Sequence, residues 1–362
     1  ESMNQKPNYR NVHNRFKLNG NNYSFNDLFE VAYSFIKEGK PHEKVIGDFL
    51  MDWLDPKEEL ILKTSGSTGT PKQMRYAKQA MVNSALATGD HFGVQIGDRA
   101  LHCLSADFIA GKMMLVRAMI LGLELDVVSP NGNVLEENPT VYDFAAMVPI
   151  QVVNAMSQIS QVKTLLVGGA APSTSLLQQL QSQKTNSFVT FGMTETLTHI
   201  ASRSVKSKDS LFNVLPGVKI TQDARQCLNI EVPHLTKDTV VTNDLVTIVS
   251  DTSFILLGRV DHVINSGGVK VIPEAVEEKI SSLITCPFFI TSIADEQLGQ
   301  KVVLVFEQKK DTQNILGLIK EKQVLSTYEL PKNVFFLDAF EYTENGKLKR
   351  EATTAILEAR PY

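Results

Sequence analysis

The chain has 362 residues, 43 % hydrophobic and 21 % charged, the balance of an ordinary globular protein long enough for two domains. A net charge of −4 gives no support to a role in coating nucleic acid. Cys103, Cys227 and Cys286 lie far apart with no Cys-x-x-Cys pair, which argues against a zinc knuckle or disulfide framework and fits a reducing, cytoplasmic setting.

In chain order, polar Glu1 to Gly20 lacks the apolar core of a signal peptide. Tyr23 to Ile36 then carries Phe25, Leu28, Phe29, Ala32 and Phe35 at helical spacing. An apolar strand at Leu60–Lys63 runs into a Gly/Ser/Thr loop, and Lys78 to Thr88 predicts a helix stopped at Gly89. Phe108 to Val128 is apolar enough to suggest a membrane span. Lys112, Arg117, Glu124 and Asp126 lie inside it, so it predicts a buried helix, Lys112 to Leu121, and a strand, Glu124 to Val128, with no membrane insertion. Lys163 to Val167 and Phe188 to Thr190 predict strands. Ser173 is a candidate N-cap for a helix over Ser175 to Gln183. This alternation predicts an α/β layered domain. Between 210 and 257, the runs Val218–Ile220, Leu228–Val232, Thr239–Thr242 and Phe254–Leu257 predict a small β subdomain. Pro273 opens a helix with Glu274, Glu277 and Glu278 near its positive end. Lys301–Phe306, Asn314–Glu321 and Val334–Leu337 then predict strand, helix and strand. The expected architecture is a large layered α/β domain over 1–257, a hinge at 258–262, and a small mobile α+β domain over 263–362.

Four clusters carry chemistry. Thr64-Ser-Gly-Ser-Thr-Gly-Thr-Pro-Lys72 packs five hydroxyls, two glycines and a lysine into nine residues, a composition suited to wrapping donors round an anion. Its spacing is not that of a Walker loop, which disfavours a P-loop kinase; taken alone, such a run is most often a solvated turn. Phe191-Gly-Met-Thr-Glu195 follows a strand, where α/β proteins place ligand groups, and Glu195 can offer a hard oxygen to Mg²⁺; alone, such a turn is more often a helix N-cap with a dipole-matched Glu. Gly258-Arg-Val-Asp-His-Val-Ile-Asn-Ser-Gly-Gly268 has an arginine whose planar fork suits ribose or phosphate oxygens, and is otherwise a linker with a hairpin. Thr343-Glu-Asn-Gly-Lys-Leu-Lys-Arg350 in isolation is a basic surface segment.

In their order these clusters, with Asp244, resemble the signature motifs of the adenylate-forming superfamily of acyl-CoA synthetases, peptide-synthetase adenylation domains and luciferases, over about residues 60–350. Within it, His102-Cys-Leu-Ser-Ala-Asp-Phe-Ile-Ala-Gly-Lys112 and Leu165-Leu-Val-Gly-Gly-Ala-Ala-Pro172 resemble segments of the o-succinylbenzoate–CoA ligases of menaquinone biosynthesis, although Phe108 and Ala110 stand where those ligases carry His and Ser. The lead before the first cluster is short for the superfamily, which implies a large domain trimmed at its N-terminus.

The resemblance implies an enzyme that activates a carboxylic acid with ATP as an acyl-adenylate and transfers it to coenzyme A. It also implies roles. Thr64, Ser65, Ser67, Thr68, Thr70 and Lys72 would hold the β- and γ-phosphates. Gly169, Ala170, Ala171 and the Phe191-Gly192 backbone would line the adenine site. Thr194 would touch the α-phosphate and Glu195 would hold Mg²⁺. Asp244, in Thr242-Asn-Asp rather than the usual Thr-Gly-Asp, and Arg259 would contact ribose. Asp261 would be the hinge, and Ser266, Gly267 and Gly268 would approach the pantetheine of CoA. Lys347 would enter the site during adenylation. Because o-succinylbenzoate keeps a second carboxylate, a cation is expected near it; Lys112 and Arg117, on an apolar helix, are the candidates. A ligase for another acid and a nucleotide-binding homologue without chemistry are the rival readings.

Overall fold

The computed structural model describes residues 6–63, 73–309, 314–343 and 346–359. The phosphate-loop residues Thr64, Ser65, Ser67, Thr68, Thr70 and Lys72 lie outside them. The chain opens with short strands β1 (Lys17–Leu18) and β2 (Asn21–Asn22), helices α1 (Asp27–Glu38) and α2 (Pro41–Leu54), and the hairpin β3 (Glu59–Lys63) and β4 (Gln73–Ala77). There follow α3 (Lys78–Phe92), β5 (Arg99–His102), α4 (Ile109–Leu121), β6 (Glu124–Val127), β7 (Tyr142–Met147), α5 (Pro149–Asn154), β8 (Val162–Val167), α6 (Thr174–Gln181), β9 (Asn186–Gly192), β10 (His199–Ser204) and β11 (Leu211–Val214). Next come β12 (Lys219–Gln222), β13 (Cys227–Glu231), β14 (Val240–Ser250), β15 (Ser253–Arg259), β16 (Ile264–Ser266) and β17 (Val269–Val271). The last elements are α7 (Pro273–Ile280), β18 (Phe288–Asp295), β19 (Gly299–Glu307), α8 (Ile315–Lys322), β20 (Asn333–Leu337) and α9 (Arg350–Glu358).

Contacts divide the chain into two compact units: Glu1–Pro172 with Gln179–Lys219 and Ile230–Val240, and Ser173–Gln178 with Ile220–Asn229 and Val241–Tyr362. In the first, the sheet runs β11-β10-β9-β8-β7-β5-β6-β1-β2. Its centre is parallel, with β5 between β6 and β7 and then β8 and β9 in turn. Such strands are covered on both faces, which explains the unbroken buried run Leu165-Leu166-Val167 in β8. β10 reverses direction against β9. In the second unit, β14 and β15 form an antiparallel pair. Beyond them β19 pairs with β16, β18 and β20. Alternate residues of β19 feed opposite faces: Val302, Leu304 and Phe306 pack with Val276, Ile280, Ile315 and Ile319 of α7 and α8, and Val303 and Val305 with Leu357 of α9.

Four elements differ from expectation. Gly89 does not stop α3, which runs to a left-handed cap at Gly93. Gly89 is there for packing, since a Cβ on it would lie 2.9 Å from Leu121 Cδ2 of α4. The strand beginning near Thr239 extends to Ser250, and the short strand at Phe188 runs from Asn186 to Gly192. The lead before residue 60 is not merely mixed: α2 buries Ile46, Phe49, Leu50, Trp53 and Leu54 at helical spacing, and Trp53 is wholly enclosed. Among the described residues, no helix is long and apolar enough to cross a membrane.

Candidate active site

The parallel strands β8 and β9 end side by side. The carboxyl ends of neighbouring strands are where open α/β sheets collect ligands. After β8 the chain turns through Gly168 and Gly169. A Cβ on Gly168 would lie 2.5 Å from Thr190 Oγ1, and Gly169 has φ +84°, so side chains are excluded twice over. Ala170 and Ala171 follow, half-buried and exposed. Gly192 ends β9 opposite His199, and a Cβ on it would meet the Thr198 carbonyl oxygen at 2.4 Å. This close approach lets the strand fold back after a single helical turn, Thr194–Thr196.

That turn is held from several sides. The Thr196 hydroxyl accepts from Met193 N at 3.1 Å and donates to the Thr198 carbonyl at 2.8 Å. The Tyr76 hydroxyl of β4 donates to the Thr194 carbonyl. Burial, aided by the charge of Glu195, pushes the Tyr76 phenol upward and keeps it a donor. Leu197 closes the turn at φ +67°, a conformation that costs a branched residue about 1–3 kcal/mol and persists only where the surroundings enforce it. Glu195 is exposed and Thr194 half-buried. The phenylalanine before Gly192, Phe191, stands edge-on to Phe212 with ring centres 5.9 Å apart.

Arg117 and Lys112 lie five residues apart on α4 and serve different surroundings. The Lys112 ammonium donates to the Ala106 carbonyl and sits 5.7 Å from the centre of the Phe49 ring. Arg117 is 2 % exposed. Its Nη2 donates to Thr198 Oγ1 at 3.3 Å, and its Nε has no hydrogen-bond partner. No salt bridge to Arg117 occurs among the described residues, and burial alone draws its ionisation down to about 10. A guanidinium with five donors, one satisfied by a long contact and with no carboxylate beside it, is under-partnered.

In the second unit, register places Asp244 of β14 opposite Arg259 of β15. Arg259 Nη1 lies 3.4 Å from Asp244 Oδ1, and its Nη2 donates to Asp261 Oδ2 at 3.1 Å. Asn243 Nδ2 donates to both oxygens of Asp261, at 3.3 and 3.2 Å, and its Oδ1 accepts from Arg225 Nη1 at 3.0 Å. The predicted ribose pair and hinge residue thus meet in one network. Burial raises the Asp244 carboxyl, with Arg259 opposing it. Beyond Asp261, His262 Nδ1 is paired with Glu274 Oε1, while Glu274 Oε2 occupies the space beside Gly258, 2.5 Å from where a Cβ would stand. Ser266 is buried, and Gly267 and Gly268, with φ +58° and +81°, form the tight turn between β16 and β17. Lys347 is exposed on a small hairpin closed by the Tyr342–Leu348 bridge, its N–H donating to Thr343 Oγ1 at 3.0 Å.

A family profile described as "AMP-binding enzyme" matches residues 41–224, half of the chain. The chain belongs to this family. This AMP-binding enzyme is 26 % identical to the 2-succinylbenzoate–CoA ligase of Escherichia coli over 79 % of its own length and 66 % of that protein's, so it spans a little under two thirds of that relative. It is similar to the crystal structure of an acyl-CoA synthetase (AMP-forming)/AMP-acid ligase II-like protein from Dyadobacter fermentans, with 35 % identity over 91 % of this chain and 98 % of that one and a TM-score of 0.60. It shares its fold with the o-succinylbenzoate coenzyme A synthetase of Bacillus subtilis solved with ATP and magnesium, at 21 % identity over 81 % and 69 % of the two chains and a TM-score of 0.69. Sequence reasoning about this AMP-binding enzyme passed over Tyr76 and His199, and gave Asn243 and Glu274 no role in the site. Asn243 had a signal, as the residue that departs from the usual glycine before the aspartate. Tyr76 and His199 had none, because their partners lie far away in sequence.

Proposed function

We propose that the chain is an ATP-dependent acid–CoA ligase whose acid is o-succinylbenzoate. The activation step joins the acid's carboxylate to the α-phosphorus of ATP and expels pyrophosphate; the thiol of CoA then displaces AMP and leaves the acyl thioester. A carboxylate alone is a poor electrophile because its leaving group would be oxide, whereas AMP leaves readily. Negative charge gathers at the α-phosphate during attack, so donors and cations must be fixed there beforehand. In this reading Thr194 donates to that phosphate and Lys347 brings its ammonium to it while orienting the acid. Thr64, Ser65, Ser67, Thr68, Thr70 and Lys72 bind the outer phosphates, the Gly169–Ala171 and Phe191-Gly192 backbone lines adenine, and Asp244 and Arg259 bind ribose.

Magnesium fits the donor set. Glu195 is an exposed carboxylate at a strand end with no cluster of further protein ligands among the described residues, the single-carboxylate arrangement that Mg²⁺ completes with phosphate and water. The ion would neutralise phosphate charge. Ser266, Gly267 and Gly268 meet the pantetheine in the second step, reached by rotation of residues 263–362 about Asp261. Three cysteines far apart in sequence, with no Cys-x-x-Cys pair, favour a reducing setting such as the cytoplasm.

The observation that carries the choice of acid is Arg117. A buried guanidinium without a carboxylate partner suits a substrate that brings its own second carboxylate, and the 2-succinylbenzoate–CoA ligase among the relatives supports the same acid. The test is acid-dependent pyrophosphate release over a panel of aromatic and aliphatic mono- and dicarboxylates, with and without CoA. Preference for o-succinylbenzoate is expected. Release of ADP would instead indicate a kinase, and no release with any acid a non-catalytic binder. Arg117→Ala should lower kcat/KM for o-succinylbenzoate about 30-fold, the loss of one charge-assisted contact.

A further inference from the structure

Behind Arg117 runs a line of buried and half-buried polar groups with no part in the chemistry above. Arg117 donates to Thr198 Oγ1 at 3.3 Å; Thr198 Oγ1 lies 3.5 Å from His199 Nδ1; His199 Nε2 lies 2.9 Å from Thr88 Oγ1 on α3. Thr88 is wholly buried and His199 is 8 % exposed. Phe92 stands edge-on to the His199 ring, with centres 5.9 Å apart. The charged or titratable groups facing the imidazole are Arg117 and His91, the latter bonded to Ser202 Oγ at 2.8 Å. Both resist a second positive charge, and burial resists it more, so His199 is neutral.

A guanidinium only donates, so Thr198 Oγ1 accepts from it. The threonine oxygen keeps a second lone pair and one hydrogen, so it can either donate to or accept from His199 Nδ1, and Thr88 Oγ1 takes the complementary role at Nε2. In either tautomer both ring nitrogens are bonded, which holds the ring, and with it the Thr198 hydroxyl, behind Arg117.

We propose that His199, held by Thr88, is a positioning residue for acid selectivity: it orients Thr198 and so aims Arg117 at the second carboxylate of the substrate. This rests on the reading that Arg117 receives that carboxylate, and the experiment separates the two. The acids are o-succinylbenzoate and β-benzoylpropionate, which has the same skeleton without the aromatic carboxylate. His199→Leu is expected to raise KM for o-succinylbenzoate about 10-fold with kcat nearly unchanged, and to leave kcat/KM for β-benzoylpropionate within about 2-fold. His199→Gln, which can still accept from Thr198 and donate to Thr88, should restore most of the difference. If Arg117→Ala abolishes the preference for the diacid while His199→Leu keeps it, the positioning role is wrong. Equal losses for both acids in His199→Leu would also overturn it, as a merely structural effect. If Arg117→Ala itself keeps the preference, the reading beneath fails, whatever His199 does. Nitrogen-15 NMR of the labelled wild-type enzyme, with the signal assigned by its absence in His199→Gln, should show one neutral ring held in a single tautomer and not titrating from about pH 8 to about pH 6. An imidazolium in that range, or a ring exchanging between tautomers, would overturn the inference.

Discussion

Single residues are asked here to do two jobs in turn. Arg259 lies between the Asp244 and Asp261 carboxylates, which only a forked cation can serve together. Arg259→Lys should weaken ATP binding in the first half-reaction, raising the apparent KM in ATP–pyrophosphate exchange by about 10-fold; an unchanged KM would remove Arg259 from the ribose site. Lys347 has the opposite character. It is exposed on a small hairpin, and among the described residues its side chain has no hydrogen-bond or ion-pair partner, as a group that moves into a site requires. Lys347→Ala should abolish adenylation yet leave most thioester formation from supplied acyl-adenylate. Equal loss of both half-reactions would mean that the lysine acts elsewhere.

At the scale of elements, close backbone approaches and one ion pair set the architecture. A Cβ on Gly111 of α4 would stand 2.2 Å from the Ser105 carbonyl oxygen and 2.8 Å from that of Leu104. Backbone cannot rotate away, so Gly111→Ala should displace α4, and Arg117 with it. Thermal or denaturant melts should show a loss of about 1–3 kcal/mol, the usual cost of overpacking. In the second unit, Arg350 at the start of α9 holds Glu277 of α7 through both carboxylate oxygens and donates to the Ile290 carbonyl at 3.1 Å. Both side chains are largely buried, so the guanidinium is held charged by Glu277. Arg350→Ala strands a buried carboxylate and should destabilise this unit by about 3–5 kcal/mol. Asp261→Pro should keep adenylation and lose transfer to CoA, because a fixed φ resists rotation; full overall turnover would put the hinge at another residue.

For the whole molecule, buried imidazoles dictate the response to acid. Burial pushes His102 down to about 4 and His199 well below its ordinary 6.5. The unfolded chain takes up protons at these rings below about pH 6.5, where the folded protein does not. More protons on the unfolded state means stability that rises with pH, so it is present above about 6.5 and is lost as the pH falls. A ring that stays neutral removes about 1.4 kcal/mol per pH unit, on the order of 2 kcal/mol for His102 at about pH 5, and His199 adds to this in the same direction. Melts from about pH 7.5 to about pH 5 should show this decline, and His102→Gln should flatten it. Much of this fold was legible beforehand: the strands ending at Val167 and near Phe191, and the helix opening at Pro273. What local pattern cannot supply is contact across long separations. Thr88 and His199 meet across 111 residues, and nothing near either announces the other. Gly89 misled because glycine ends helices and also lets them touch. The α2 stripe from Ile46 to Leu54 was readable and was passed over.

Tyr76 stands just past the hydroxyl-rich loop on β4, and its one hydroxyl meets the Thr194 carbonyl 118 residues further along the chain. The loop's exit strand and the turn carrying Thr194 and Glu195 are therefore gauged against each other by a single phenol. In the proposed reading a nucleotide's triphosphate, of fixed length, would bridge Thr64–Lys72 and the Thr194–Glu195 turn, and an error in their spacing could not be absorbed by the ligand. Tyr76 would then work as a calliper set to that length. Tyr76→Phe keeps the ring in its place and removes only the stop. It should leave stability within about 1 kcal/mol, the worth of one hydrogen bond, while slowing ATP–pyrophosphate exchange far more than it weakens binding of AMP, which is too short to be measured by the gap.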